Sequence, residues 1–305
     1  MRFQLLSTAV GLVSLDLTLR HRSTYIPPRA LHEWLSLMPQ LEILQILFGF
    51  LITNRNVERN LTPKPIMTPL TLPSLHFFAF RAVSAYYKLV LGQITAHRLE
   101  VFRIRYPNPP TSSIPEILHF IGRTENFGSY SADFFFQSKY ILMRVNPHDT
   151  WTERGAFSID IRYCHFDQQV SSVAQSSNTL SQIFAPVKEL TLSHAAHSLS
   201  SEEHDEVDRA EWIKLLKSFR NLKTLIIEDV LIEKLSRCLG SEDGKDLELL
   251  PELEELRYEK SRVEFYDDDD GYNDYNDDEF EFTSFIDARE NAGRPVTLVN
   301  ATSWD

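Results

Sequence analysis

The sequence has 305 residues, of which 43% are hydrophobic and 24% are charged, and its net charge is −12. The length exceeds what a single small core needs, so the chain forms two domains or one elongated array. Residues 264–282 hold ten Asp or Glu and no Lys or Arg, which leaves 33 acids against 31 bases elsewhere. A body so close to neutrality argues against nucleic acid as a general partner. The longest apolar run, residues 41–52, has 12 residues and is too short to span a bilayer, so no membrane contact is expected.

The cysteine content and the N-terminal sequence indicate the cellular compartment of the protein. Cys164 and Cys238 are too few for a disulfide framework and fit a reducing compartment. Residues 5–15 follow Arg2 in the manner of a signal peptide, but no small-x-small cleavage site comes after them. We therefore expect an intracellular protein of the cytoplasm, the nucleus or both.

One phrase, L-x-x-L-x-L with apolar substitutes, recurs along the chain. It begins at Leu12, Leu41, Leu75, Leu99, Val187, Leu222 and Leu253, at intervals of 29, 34, 24, 88, 35 and 31 residues. The interval of 88 residues has room for two more units, with strands near 132–136 or 140–145 and at 157–163. This phrase is the core signature of leucine-rich repeats, whose regular length is 20–29 residues, so the array is long and irregular.

Helical patterns alternate with the phrase. They cover residues 28–38, 84–95, 114–127, 170–184, 208–219, 231–239 and 282–292. In the clearest unit, residues 210–230, the apolar residues Trp212, Leu216, Leu222 and Leu225 are predicted to pack the helix onto the strand.

A strand followed by a helix, repeated, requires parallel strands joined by crossovers. We therefore predict an α/β fold, an irregular leucine-rich-repeat solenoid with parallel strands on the concave face of a horseshoe and helices on the convex face. It is expected to form a single domain over residues 1–305. The acidic residues 264–282 are predicted to be a disordered insertion within that domain.

The phrase also sorts side chains by face, because alternate residues of a strand point to opposite sides. In the fourth phrase Leu99, Phe102 and Ile104 then point into the core, while Arg103 and Arg105 face the concave side. Applied to the other phrases, this register gives the candidate partner-binding residues Arg81, Arg103, Arg105, Thr191, Ser193, Glu228, Arg257 and Glu259. The concave face is thus predicted to be basic around the first three of them and mixed further on.

The three arginines Arg81, Arg103 and Arg105 carry the most specific binding hypothesis. Arginine pairs bidentately with carboxylate and phosphate groups, so the cluster could hold an acidic or phosphorylated peptide. The alternative is ordinary solvated charge on a sheet surface.

Catalytic motifs are not found. The sequence has no G-x-G-x-x-G, no G-x-x-x-x-G-K and no G-x-S-x-G. Cys164 and His165 are adjacent and would point to opposite faces of a strand, which favours a structural cysteine. We expect neither an enzyme nor a cofactor.

Two segments contain clusters of residue types that can ligate metals. The densest set of metal-ligand types lies in one polar stretch and comprises His194, His197, Glu202, Glu203, His204 and Asp205, where a solvated loop is favoured over an adventitious site. The acidic run at 266–278 aligns with a calcium loop through Gly271, but Tyr266 then falls on the first ligand position and the twelfth position lacks Glu. A solvated acidic loop, or an acidic handle for a basic partner, fits better, and no metal is predicted.

The order and spacing of several stretches resemble the F-box-like leucine-rich-repeat proteins of mushroom-forming fungi. These stretches are LPSLHFFAFRAVSAYY from Leu72, AHRLEVFRI from Ala96, FDQQVSSVAQ from Phe166, AEWIKLLKSFRNLKTL from Ala210, LLPELEEL from Leu249 and FIDARENAGRPVTLV from Phe285. The resemblance runs from about Leu12 to Trp304.

The resemblance implies two functional parts, one for docking and one for substrate selection. In that family an F-box docks the Skp adaptor of a cullin ubiquitin ligase, and the repeats are taken to select the substrate. Met1 lies only 11 residues before the first phrase, which leaves no room for an F-box, so we expect either part of a longer protein or a divergent member. The expected function is a non-enzymatic protein-recognition module that resembles the substrate-binding part of an F-box protein, with a Skp-type adaptor as partner only if an F-box precedes it. The alternatives are a stand-alone scaffold without a ubiquitin link and, third, an enzyme of unrecognised type.

Overall fold

The computed structural model describes most of the chain. The described residues are 10–19, 26–48, 68–82, 84–106, 114–124, 127, 129–137, 140–147, 157–162, 166–195, 209–228, 231–240, 249–259 and 282–300. They form a mixed α/β structure that divides into two compact units. Unit 1 comprises Met1–Tyr130 and Lys139–Cys164, and unit 2 comprises Ser131–Ser138 and His165–Asp305. That the whole chain is a single solenoid domain stays a prediction.

Helices and strands alternate along the chain. The strands are β1 Ser14–Leu19, β2 Ile43–Phe48, β3 Leu70–Thr71, β4 Phe77–Arg81, β5 Ile94–Thr95, β6 Val101–Tyr106, β7 Ser131–Gln137, β8 Tyr140–Asn146, β9 Phe157–Arg162, β10 Glu189–His194, β11 Thr224–Glu228, β12 Glu255–Glu259 and β13 Thr297–Asn300. The helices are α1 Pro28–Ser36, α2 Ser84–Leu91, α3 Ile114–Gly122, α4 Phe166–Thr179, α5 Ser181–Phe184, α6 Arg209–Leu216, α7 Leu231–Leu239 and α8 Thr283–Asn291. None of these helices is long and apolar enough to cross a membrane.

Each unit has a mostly parallel sheet. In unit 1 the strand order is β1-β2-β4-β6-β9-β8, parallel as far as β9, and β3 pairs with β5 in a separate two-stranded sheet. In unit 2 the order is β7-β10-β11-β12-β13, and every neighbouring pair is parallel. Each of the seven recurring phrases overlaps one of the parallel strands, which begins two residues into the phrase, and this confirms the phrases as strand markers.

A shared backbone hydrogen-bond pattern fixes the register between successive strands. The carbonyl of Glu42, just before β2, accepts the N–H groups of His76 and Phe77 at 3.0 and 3.1 Å. The carbonyl of Lys188 does the same in unit 2 for Lys223 and Thr224, at 2.8 and 2.9 Å. The carbonyls of Val13, His76 and Lys223 repeat the pattern with the strands that follow them. Equivalent positions of the phrase therefore lie side by side in rows across each sheet.

The helices of unit 1 pack on one face of its sheet. The side chain of Phe102 contacts Phe78, Phe157 and Phe120 of α3, with ring centroids 5.5, 5.9 and 4.7 Å apart. Tyr86 of α2 lies against Phe48 at 4.9 Å. These aromatic side chains are all nearly inaccessible to solvent, so this face of the sheet is the core.

The core of unit 2 has the same plan. Trp212 of α6 packs edge-on against Phe136 of β7 at 5.8 Å, and Phe219 contacts both Phe134 and Phe184. The predicted packing residues Trp212, Leu216, Leu222 and Leu225 are all buried.

Several sequence-based boundaries were wrong. Ile94 and Thr95 form strand β5 rather than the end of a helix, because they pair with Leu70 and Thr71. The helix predicted over 170–184 is two helices that meet at Leu180. Strand β8 runs antiparallel to β9, although the repeat pattern predicts parallel strands throughout.

The acidic segment and the C-terminal strand also differ from prediction. Phe282, the last residue of the predicted disordered insertion, is buried and packs against Tyr258 with ring centroids 6.3 Å apart. The other residues of that insertion lie outside the described part of the chain. Strand β13 pairs with β12 at the edge of the sheet. It was not predicted, because the sequence around it lacks the leucine spacing of the phrase.

A buried arginine holds the turn before β12. Arg289 is 1% exposed and donates hydrogen bonds to the carbonyls of Leu250, Pro251 and Leu253 at 3.2, 3.4 and 3.0 Å. Leu250 has a φ of 53°, an unusual value for a residue with a side chain. Burial lowers the pKa of Arg289, the charge of Arg294 adds to this, and Glu252 partly offsets it. We infer that the guanidinium stabilises the strained turn by satisfying its carbonyls.

We expect Arg289→Met to lower the free energy of unfolding by about 2–4 kcal/mol, because it leaves three carbonyls without their donor. Arg220→Met, at an exposed position in a turn, is the matched control and should cost less than about 0.5 kcal/mol. Urea denaturation followed by circular dichroism measures both, and equal losses would contradict the role of Arg289.

A second pair of variants tests the core of unit 1. Leu35 on α1 is 1% exposed, whereas Leu37 just beyond the helix is 43% exposed. Leu35→Ala should lower the free energy of unfolding by about 2–5 kcal/mol through the cavity it leaves. Leu37→Ala should change it by less than about 0.5 kcal/mol. A cost for Leu37→Ala equal to that for Leu35→Ala would show that α1 is packed the other way round.

Candidate functional site

The face of the unit 1 sheet opposite its helices carries polar and half-exposed side chains, and we call it the basic face. The pairing register places its residues in two rows across the strands. One row is Asp16, Gln45, Ala79, Arg103, Ser158 and Arg144, and the other is Thr18, Leu47, Arg81, Arg105, Asp160 and Leu142. Three of the sequence-predicted residues, Arg81, Arg103 and Arg105, thus lie together on one surface.

The arginines of the basic face are held by their neighbours. The Nε of Arg105 lies 3.3 Å from a carboxylate oxygen of Asp160, and these side chains are 55% and 22% exposed. The guanidinium carbon of Arg103 lies 5.5 Å from the centre of the Phe77 ring, a cation–π contact. At the far end of the row Gln45 donates a hydrogen bond of 2.8 Å to Asp16. The guanidinium groups of Arg103 and Arg105 are therefore restrained before a partner binds.

The basic face has an excess of positive charge. Arg81 and Arg105 are direct partners in the register of β4 and β6, so two like charges lie on adjacent strands. Arg144 of β8 is in register with Ser158, which is itself the partner of Arg103. In the two rows, four arginines stand against two carboxylates, those of Asp16 and Asp160.

The corresponding face of the unit 2 sheet is mainly acidic, although the sequence predicted a mixed surface. Its described charged side chains are those of Asp133, Glu189, Glu228, Glu255 and Arg257. Arg257 donates two hydrogen bonds to the carboxylate of Glu255, at 2.8 and 3.0 Å. This pairing with Glu255, helped by the charge of Glu189, raises the pKa of Arg257 against the lowering effect of burial. The one described arginine of this face is thus already engaged within the protein.

Two residues of unit 2 that were predicted to contact a partner are almost inaccessible to solvent. Thr191 and Ser193 lie on the acidic face by register but are only 5% and 8% exposed. Both side chains are small, and their register partners Asp133, Ile226 and Phe135 have longer side chains. Glu228 and Glu259 are register partners at the ends of β11 and β12, and the Glu259 side chain lies outside the described part of the structure.

Of the possible metal ligands His194, His197, Glu202, Glu203, His204 and Asp205, the structure describes His194. His194 is 6% exposed and in register with Phe136, whose ring is in the core of unit 2. Its five possible partners, Cys164, His165 and residues 266–278 lie outside the described residues. Within the described ranges, no three His, Cys, Asp or Glu side chains are grouped so that they could hold a metal ion.

Three residues of the basic face were missed by sequence analysis. Arg144 was missed because β8 lies outside the leucine phrase and pairs antiparallel. Asp160 was missed because its strand was predicted without a register. Phe77 is the first residue of β4 and was not assigned to a face, because only Ala79 and Arg81 of this phrase were. Alternation of small, charged and apolar residues in SIDIR and ILMRV was the available signal.

The Arg105–Asp160 ion pair should contribute little to stability, because Arg105 is more than half exposed. We expect a double-mutant cycle of Arg105→Gln and Asp160→Asn to give a coupling energy of about 0–1 kcal/mol in the free energy of unfolding. Urea denaturation of the four proteins measures it. A coupling above about 2 kcal/mol would mean that the pair is a structural element rather than an adaptable part of a surface.

Comparison with known proteins gives little further information. No protein-family model and no curated protein matches the chain. Among solved structures, the leucine-rich repeat-containing protein LegL7 from Legionella pneumophila is similar over 82% of this chain and 84% of that chain. The identity is 12% and the TM-score is 0.26, so the likeness carries no argument about fold or function.

Proposed function

We propose that this protein is a non-enzymatic recognition module that binds a protein partner on the exposed faces of its sheets. The observation that carries the proposal is the in-register row of side chains on the basic face, from β1 to β8. Helices bury the opposite face, so the polar face is the one from which restrained charged and aromatic side chains project. Such a continuous, partly apolar and charged surface is suited to protein recognition.

The finer proposal is that the repeats form a horseshoe-shaped leucine-rich-repeat solenoid that serves as the substrate-binding part of an F-box protein. The support is the resemblance of residues 12–304 to fungal F-box-like proteins, together with the seven phrases that each hold a strand. A Skp-type adaptor is the second partner in this proposal if an F-box precedes the repeats. The two cysteines support a location inside the cell.

A stand-alone scaffold without a ubiquitin link is the alternative, because the recognition surface does not depend on an F-box. Both versions assign no catalytic residue, cofactor or metal. The lack of a catalytic motif in the sequence supports this part of the proposal.

The proposal predicts that partner capture depends on the basic face. We expect the triple variant Arg81→Glu, Arg103→Glu and Arg105→Glu to lose a defined set of proteins that the unmodified chain retains in quantitative affinity purification. The matched control Arg98→Glu, Lys217→Glu and Arg220→Glu makes the same charge change at exposed positions in turns outside both sheet faces and should retain that set. Recovery should fall about tenfold or more for proteins that contact the basic face, since each reversal replaces attraction by repulsion.

Two outcomes would count against the proposal. Identical protein sets for the unmodified chain and the triple variant would remove the basic face as a binding surface. Absence of Skp and cullin subunits from a purification of the natural full-length protein would remove the ubiquitin link and leave the scaffold.

A further inference from the structure

We propose that the basic face binds a short extended segment of a partner protein in which Asp or Glu side chains are interspersed with apolar ones. This inference deepens the proposed function and rests on it. The occupant is a carboxylate-rich peptide, and the four arginines Arg81, Arg103, Arg105 and Arg144 are its contacts.

The spacing of the arginines fits a few adjacent carboxylates. Neighbouring strands are about 4.8 Å apart, so Arg81 and Arg105 start from backbones about that far apart. Arg103 lies two residues from Arg105 on the same strand, about 7 Å away, and Arg144 lies two strands from Arg103, about 10 Å away. The outermost pair, Arg81 and Arg144, lies three strands and two residues apart, about 16 Å, which an extended peptide spans in about five residues, so one short segment reaches all four guanidinium groups.

The electrostatics favour an incoming anion. Arg81 and Arg105 are like charges on adjacent strands, and only one of the described carboxylates, that of Asp160, lies within ion-pair distance of Arg105. A partner carboxylate near these two guanidinium groups relieves their repulsion. The Phe77 ring restrains Arg103, which reduces the conformational entropy lost on binding.

Apolar side chains lie between and beside the arginines. Leu47 and Leu142 are half-buried in the same row as Arg81 and Arg105, and Val101 is half-buried next to Arg103. Ile43, on the same face of β2, is 37% exposed. A peptide of alternating acidic and apolar residues can therefore contact both the arginines and the apolar side chains. A purely acidic peptide would leave Leu47 and Leu142 exposed to solvent.

The two aspartates of the basic face distinguish the peptide from other anions. A nucleic acid backbone presents continuous phosphate charge and would be repelled by Asp16 and Asp160. A phosphoserine dianion doubles both its attraction to Arg105 and its repulsion by Asp160, so a phosphoserine version of the peptide is one arm of the test. Separate carboxylates along a peptide, unlike a continuous phosphate backbone, can be placed beside the four arginines and away from the two aspartates.

Fluorescence anisotropy with defined peptides tests the inference on the full chain. The probe is a fluorescein-labelled dodecapeptide in which Glu alternates with Val and Ser, and its matched control replaces every Glu by Gln. We expect the Glu peptide to bind about tenfold or more tightly than the Gln peptide, and to lose affinity as salt is raised.

Protein variants locate the site. Arg103→Glu and Arg144→Glu should each weaken binding of the Glu peptide by about fivefold or more, while Arg98→Glu in the turn before β6 should leave it unchanged. Asp160→Asn removes the internal competitor of Arg105 and should tighten binding by about two- to fivefold. Unaltered thermal unfolding of each variant shows that the loss is not misfolding.

Three results would overturn the inference. Equal binding of the Glu and Gln peptides, or of neither, would remove carboxylates as the recognised group. Equal weakening by Arg98→Glu would mean a general charge effect. Tighter binding of a phosphoserine version of the peptide, or of a twelve-nucleotide thymidine strand, would assign the face to phosphate. If the peptide does not bind but capture of cellular proteins still depends on Arg81, Arg103 and Arg105, the recognition function stands and only the carboxylate assignment fails.

Discussion

The rest of the structure depends on one repeated backbone contact, in which the carbonyl before a strand accepts two consecutive N–H groups from the next phrase. It recurs at Val13, Glu42, His76, Lys188 and Lys223, with N–O distances of 2.8–3.1 Å. Because a slip of one residue would exchange the two faces of a strand, this contact keeps apolar phrase positions such as Leu44, Ile46 and Leu225 in the core and the alternate residues on the opposite face. The helices then cover the apolar face, and the polar rows are left as surface.

The sequence predicts those parts of the fold that follow from periodicity. The leucine phrase marks Leu44 and Ile46 on β2, or Leu225 and Ile227 on β11, because these positions must be apolar for the strand to pack. The interval of 88 residues predicted a strand near 132–136 or 140–145, and both form, as β7 and β8. The antiparallel direction of β8 and the short edge strand β13 do not follow from the repeat. The burial of Phe282 was not predicted, because this residue directly follows the acidic run and was assigned to the disordered insertion.

The candidate site was predictable in its residue types but not in its accessibility. Alternation alone places Arg81, Arg103 and Arg105 on a common face. It cannot show that Thr191 and Ser193 are covered, because their exposure depends on the length of side chains from neighbouring strands. Nor can it show that Arg257 is occupied by Glu255, or that Arg144 joins the basic face from a strand outside the repeat. These features depend on contacts between distant residues, which a local pattern does not contain.

The two faces carry opposite charge within otherwise similar sheets. On the basic face the ion pair and the cation–π contact leave a net positive surface, whereas the described acidic side chains of unit 2 outnumber Arg257. Contact with a partner at the basic face is the central claim, and site-specific photo-crosslinking tests it most directly. With p-benzoylphenylalanine in place of Leu47, on the basic face, captured partners should become crosslinked, and with the same residue in place of Leu37, beyond α1, they should not. Crosslinks from position 37 with none from position 47 would contradict the account.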